Sequence, residues 1–264
     1  MRSRIVHHGI RRRRARRRRA LWTGGEALVT VGLVLLLLVV HQLWWTNREA
    51  REGAQRRVEA LEREWDDSQS NSRNPGQGQG PGDGDGTSTP AQGNGTSSAT
   101  EPRRGSNSTP AQPSRSQAYA ILTVPRLHLR VPVAEGVGKE SVLDKGYVGH
   151  YPGTGQPGQV GNFALAGHRN THGEPFRYIN RLAPGDTVRV ETRSAVYTYA
   201  VDRTLRQTSA RDSGVIRPVP RSRVHPSYGY TTPGWFITLT TCTPEYTSRY
   251  RLVVWGKLVS TRPR

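Results

Sequence analysis

From Ala27 to Trp45 the chain runs for 19 residues, rich in Val and Leu, without one formally charged side chain. As a helix such a run covers roughly 28 Å, close to the hydrocarbon thickness of a bilayer. Any globular unit must therefore lie to one side of it, and only the C-terminal side has the length. Trp22 before the run and Trp44 and Trp45 after it suit the two membrane interfaces. Residues 1–19 carry ten arginines and no acid. By the positive-inside rule, residues 1–23 are expected to be a cytoplasmic basic tail and residues 24–46 a single-pass transmembrane helix in contact with membrane lipids. Everything beyond then lies outside the cell. A cleaved signal peptide or a buried core helix would also be apolar. No Ala-x-Ala-like cleavage site follows the span, and Trp-Trp replaces small residues poorly. The arginine cluster alone would suit nucleic acid or acidic lipid, and the neighbouring apolar run decides for lipid. No nucleic-acid partner is expected.

Residues 47–66 are expected to form a juxtamembrane helical stalk. Thr46-x-x-Glu49 has the form of a capping box, and Glu52/Arg56 and Glu59/Arg63 are i,i+4 pairs. Val58, Leu61 and Trp65 form only a narrow apolar stripe, which reads as a solvated stalk, or as a short coiled coil. Residues 67–117 are almost wholly Ser, Gly, Asn, Gln, Thr, Pro and Asp. They bury too little apolar surface to offset their ordering entropy, so a disordered linker with a mean reach of about 40 Å is predicted. Such a tether would let the domain behind it search the space above the membrane.

The folded domain is expected over residues 118–264, enough for one core. Its texture is all-β. Short apolar or alternating runs at 120–124, 162–166, 187–191, 195–202, 235–241 and 251–259 are separated by Gly, Pro and Asn. Residues 174–182 could hold a turn or two of helix, and no long amphipathic helix follows residue 118. A closed β-barrel is the expected architecture.

The chain has a single cysteine, Cys242, at the end of Thr238-Leu239-Thr240-Thr241-Cys242. Outside the cytoplasm it has no intramolecular disulfide partner and is a potentially reactive thiol. A free thiol titrates near pH ~8.5, so nucleophilic work requires a neighbouring base or cation. Alternation puts Cys242 on one strand face with Thr240 and Thr238. The competing reading is a small buried hydrophobe. His168 follows the strand-like Phe163-Ala164-Leu165-Ala166 through Gly167, and His172 in the same loop is its strongest rival. Arg251 opens the last apolar run, and Arg249 shares its side by alternation. A guanidinium there can hold a substrate backbone and stabilise a developing oxyanion.

These residues carry a resemblance. Thr238–Cys242 resembles the TLxTC signature of sortases, and the upstream histidine and downstream arginine complete that family's catalytic trio. The likeness extends through Gly149-His150-Tyr151-Pro152-Gly153-Thr154, the run from Gly158 to Arg169, and Thr171-His172-Gly173-Glu174-Pro175-Phe176. It is similar in particular to the class E, housekeeping-type sortases of high-GC Gram-positive bacteria. The resemblance implies a closed barrel of about eight strands with short helices, and a cysteine transpeptidase/endopeptidase. It maps Cys242 as nucleophile, His168 as general acid/base and Arg251 as the orienting and oxyanion-stabilising residue, with Thr240 and Thr241 at the substrate. The short Cys-to-Arg interval implies a compact loop. The acidic calcium-binding cluster of some class A enzymes has no clear counterpart, so no metal and no cofactor are expected.

The partners it implies are secreted proteins bearing a C-terminal LAxTG- or LPxTG-type sorting signal, and the amine of a lipid-linked peptidoglycan precursor. A pilin polymerase with a lysine acceptor and a membrane-anchored binding module with a merely structural cysteine are the alternatives. An L,D-transpeptidase would place its histidine and cysteine close together in sequence, which this chain does not.

Overall fold

The computed structural model describes residues 8–73 and 113–264. Most of the predicted linker, and the first residues of the basic tail, lie outside the described residues. One helix, α1 (His8–Arg73), precedes eight strands: β1 (Ala118–Val124), β2 (Leu129–Glu135), β3 (Val148–His150), β4 (Gly161–Ala166), β5 (Thr187–Thr192), β6 (Ala195–Ser209), β7 (Trp235–Thr243) and β8 (Tyr250–Pro263). The strands close into a barrel in the order β1-β2-β3-β4-β7-β8-β6-β5. The β2/β3 and β4/β7 pairs are parallel and the others antiparallel. The expected all-β closed barrel is what forms.

Period-2 alternation fills the barrel. Leu122, Phe163, Leu165, Val188, Val190, Ile237, Leu239 and Val254 all face the interior and are at most 1 % exposed. A second cluster covers the outer face of β7 and β8, where Trp255 and Phe236 pack under Val215 and Tyr230. Two strands escaped the sequence reading. β2 is interrupted by Pro132, which argues against a strand, and β3 is only three residues long.

The helix departs from the expected stalk. It runs unbroken through Thr46, whose hydroxyl donates to the Gln42 carbonyl 2.8 Å away, so Thr46 is no cap. Glu52 pairs with Arg48 rather than Arg56. The helix also continues to Arg73, past the predicted linker start, and Ser116 N–H bonds the Glu135 carbonyl just ahead of β1. The apolar side chains from Leu28 to Val40, and Trp44 and Trp45, are exposed, and among the described residues this is the one helix long and apolar enough to cross a membrane.

Beyond Trp45 the environment changes. Ala50, Ala54, Val58, Leu61 and Trp65 are buried, and the last three pack with Ala118, Ile121, Ala134 and Val142 on the outside of β1 and β2. The 3- and 4-residue spacing of the stripe is the spacing of a docked helix face. It is therefore neither a solvated stalk nor a coiled-coil seam. Polar contacts frame it: Arg57 donates to the Ala118 carbonyl, Arg130 pairs with Glu62, and the Arg264 guanidinium lies 4.7 Å over the Trp65 ring. These contacts hold the barrel against α1. Leu61 is 2 % exposed, so Leu61→Ala should weaken this docking by about 2–4 kcal/mol. Faster amide hydrogen exchange over Val58–Trp65 than over the barrel strands would report it.

Candidate active site

The site is built by strand register at one rim of the barrel. In the β7/β8 pair Cys242 lies directly opposite Arg251. Facing residues of an antiparallel pair point to the same side with Cβ atoms about 4.5–5.5 Å apart. Arg251 is thus on the face of Cys242, whereas its rival Arg249 precedes the strand and stacks over Tyr250 at 5.2 Å. The Arg251 Nη1 donates to the carbonyls of Ser248 and Tyr250, at 2.9 and 3.0 Å, which fixes the guanidinium at the strand's start. The β7–β8 connection is six residues long, as compact as expected, and Thr243–Pro244 is cis.

On the other flank of β7, parallel pairing matches Ala166 with Thr240, and Gly167 N–H extends the ladder by bonding the Thr240 carbonyl. Two residues past Ala166 is His168, and two residues past Thr240 is Cys242. The register therefore carries imidazole and thiol to the same level on neighbouring chains. Thr241 donates to the Gly167 carbonyl at 2.8 Å, and Arg169 donates to the Cys242 carbonyl at 3.2 Å and to the Thr243 hydroxyl at 2.8 Å. These bonds pin the histidine segment to the cysteine strand.

The face shared by Thr238, Thr240 and Cys242 is not an open floor along its length. Thr238 is fully buried, bonded to Asn162 and Val215, and Thr240 is 2 % exposed. Only at Cys242, partly exposed, does it reach solvent. The Thr240 hydroxyl donates to the Leu165 carbonyl at 3.0 Å and accepts from Tyr151 at 3.1 Å. Thr241 turns inward, opposite Leu252. Both threonines, expected at the substrate, have hydroxyls committed to the protein. Those bonds tie β7 to the segment that leads to His168.

His168 has a partner the sequence did not announce. Its Nε2–H donates to Asp144 Oδ1 at 2.7 Å, from a short helical turn at Leu143–Lys145. A carboxylate only accepts, so Nε2 carries the proton and Nδ1 holds the lone pair of a base. Burial pushes the His168 pKa below its ordinary 6.5, against the opposing pull of Asp144. The ring is therefore mostly neutral at pH 7, able to take a proton. His172 sits beside it with ring centroids 5.4 Å apart, but its Nδ1 is 3.6 Å from the same Asp144 oxygen, too far for a hydrogen bond. Asp144, His168 and His172 are also the one group among the described residues whose atoms, within 4.8 Å of one another, match a metal-ligand set. The short Asp144–His168 hydrogen bond is what an oriented base requires in any case. His150 plays no part: it is 1 % exposed, between Glu135 Oε2 at 2.7 Å and the Gly155 carbonyl at 3.1 Å.

Two contributors, Asp144 and Arg169, were not singled out by the sequence reading. Arg169 was detectable only as the neighbour of His168, although it is 7 % exposed and therefore a committed, not a surface, guanidinium. A thiol, an Asp-bonded imidazole and a guanidinium thus meet at one barrel rim, a set of groups chemically able to carry out acyl transfer at a cysteine.

Residues 122–259 match the Sortase domain family. Sortase SrtE1 of Streptomyces coelicolor (strain ATCC BAA-471 / A3(2) / M145) is 40% identical over 245 residues, spanning 91% of this chain and 57% of the relative. Sortase SrtE2 of the same strain is 34% identical over 242 residues, spanning 90% of this chain and 81% of the relative. The chain thus covers less than two thirds of the length of SrtE1. Among solved structures, Sortase E1 from Streptomyces coelicolor with a tripeptide in the active site superposes with a TM-score of 0.54 at 49% identity, over 58% of this chain and 94% of that one. Sortase E from Streptomyces avermitilis gives 0.50 at 40% identity, over 57% and 93%. The chain belongs to the sortase family, and these relatives are E-type members, as the resemblance to class E implied.

Proposed function

We propose that this protein is a membrane-anchored cysteine transpeptidase that cleaves a C-terminal sorting signal between Thr and Gly. It then joins the new threonine carboxyl to an amine of a peptidoglycan precursor. The observation that carries the reading is the pairing of Cys242 with Arg251 across β7/β8, with His168 brought to the same level from the other side. The tripeptide in the active site of Sortase E1 supports a peptide substrate.

In the first half-reaction His168 Nδ1 takes the Cys242 proton and the sulfur attacks the threonine carbonyl carbon. Arg251 faces the oxygen on which negative charge develops. Collapse of the tetrahedral intermediate breaks the C–N bond, and His168 returns its proton to the departing glycine amine. In the second, the incoming amine attacks the thioester, loses a proton to His168, and displaces the Cys242 sulfur. α1 spans the membrane with its arginine-rich end inside, which puts enzyme, substrate and lipid-linked acceptor at one outer surface.

The test is to incubate the full chain in detergent with LAxTG and LPxTG peptides and several amines, and to sequence the products by mass spectrometry. A new amide on threonine with glycine released is expected. Failure to form either an acyl-enzyme or a ligated product with any peptide would reject the reading. Recovery of a lysine side-chain adduct alone would move the acceptor to that of a pilin polymerase.

The depressed His168 pKa gives a pH test. A base that must start neutral puts an acid limb on kcat/KM at a pH below 6.5. Asp144 holds that pKa up, so Asp144→Asn should move the limb to still lower pH, besides lowering the rate. A limb that stays fixed would detach Asp144 from the histidine.

A further inference from the structure

Three consecutive residues after the histidine strand, His172, Gly173 and Glu174, have positive φ values of 52°, 81° and 53°. Two of them are not glycine, and such backbone persists only where its surroundings over-determine it. The surroundings here are a single turn of α1 together with Arg177, whose Nη1 donates to Glu174 Oε2 at 2.6 Å. The Asn47 side-chain amide donates to Glu174 Oε1 at 3.0 Å, and its oxygen accepts from Gly173 N–H at 3.3 Å. One turn on, Arg51 donates through Nε to the Gly173 carbonyl at 3.1 Å and through Nη2 to Glu174 Oε2 at 3.1 Å. Two helix residues at i and i+4 thus occupy both backbone polar groups of Gly173 and both oxygens of a carboxylate that is almost fully buried.

The same turn touches the element that carries Asp144. Gly146 ends that helical turn at φ 77°, and a Cβ on it would stand 2.8 Å from the Ala50 carbonyl oxygen. Glycine is required there by conformation and by the closeness of the helix. Asn47, Ala50 and Arg51 therefore bear on both sides of the Asp144–His168 hydrogen bond: the turn that offers the acceptor and the loop that leaves the donor.

We propose that the first extramembrane turn of α1, Asn47–Arg51, is a positioning element of the active site that clamps the strained His172–Glu174 loop and the Asp144 turn, and so sets His168. The inference rests on His168 being the acid/base of the proposed transpeptidase. It makes the anchor part of the catalytic geometry.

The test uses the full chain in detergent, at a temperature well below every variant's thermal midpoint. Arg51 is 61 % exposed at its side chain, so its replacement removes bonds and not core. Misplacement of a catalytic group by about 1 Å can cost on the order of 100-fold in rate. Asn47→Ala with Arg51→Ala together should therefore lower kcat by about tenfold or more, leave KM for the sorting peptide within about twofold, and shift the midpoint little. Arg51→Lys, which keeps one charged donor for Glu174, should recover part of the loss. Wild-type kcat in the double variant, or a change confined to KM, overturns the clamp. The outcomes separate from those of the parent reading: turnover retained in His168→Ala sinks both. An inactive His168→Ala beside a fully active Asn47/Arg51 double variant sinks the clamp alone.

Discussion

A Cys242→Ala chain should form no thioester and lose turnover of a sorting peptide by about 10⁴-fold or more, because the sequence holds no second cysteine to take its place. The substitution removes one partly exposed sulfur from a strand end whose backbone is already held by Gly167, Arg169 and Arg251. Its thermal midpoint should stay near wild type, so loss of activity would report chemistry and not folding. Intact-mass measurement after mixing with peptide checks both halves at once: the wild-type chain gains the acyl mass and the variant does not. Turnover near wild type in the variant would leave Cys242 a structural residue and favour a binding module.

The second large effect is expected at His168. Its replacement by alanine should cost about 10²–10⁴-fold in kcat/KM, the range of a general acid–base contribution, while His172→Ala should be mild. The contest is a real one, since the two rings are neighbours facing the same Asp144 oxygen. Geometry separates them: 2.7 Å for His168 and 3.6 Å for His172, whose Nδ1 is buried without a partner. Steady-state kinetics of the two single variants decides, and the reverse outcome transfers the role to His172. Added imidazole restoring part of the His168→Ala rate would further mark the loss as chemical.

What the sequence made legible follows from what was local. The β7 strand, the alternation that aligns Cys242 with Thr240, and the barrel class are written in period-2 patterns and turn residues, and they form as read. The motif around His168 and Cys242 was legible as a resemblance before any register was known. What had no local signal was tertiary. Asp144 sits in an unremarkable Leu-Asp-Lys-Gly turn, and only the fold brings it to His168. β2 hid behind Pro132, and β3 was too short to show alternation. Val58, Leu61 and Trp65 were read as a solvated stripe because a narrow row of apolar residues does not say what covers it. Thr240 and Thr241 were placed at the substrate, yet their hydroxyls donate to the backbone carbonyls of Leu165 and Gly167, partners that only the β4/β7 register supplies.

The docking of α1 also fixes a height. With Ala27–Trp45 in the bilayer, the turn that grips the histidine loop begins two residues past Trp45, and Arg51 is only about 9 Å past Trp45 along the helix axis. In the proposed membrane orientation, the rim that carries Cys242 and His168 is a low platform near the headgroups, not a head at the end of a long leash. For the transpeptidase proposed above, an acceptor carried on a lipid would then need to rise only a little to meet the thioester.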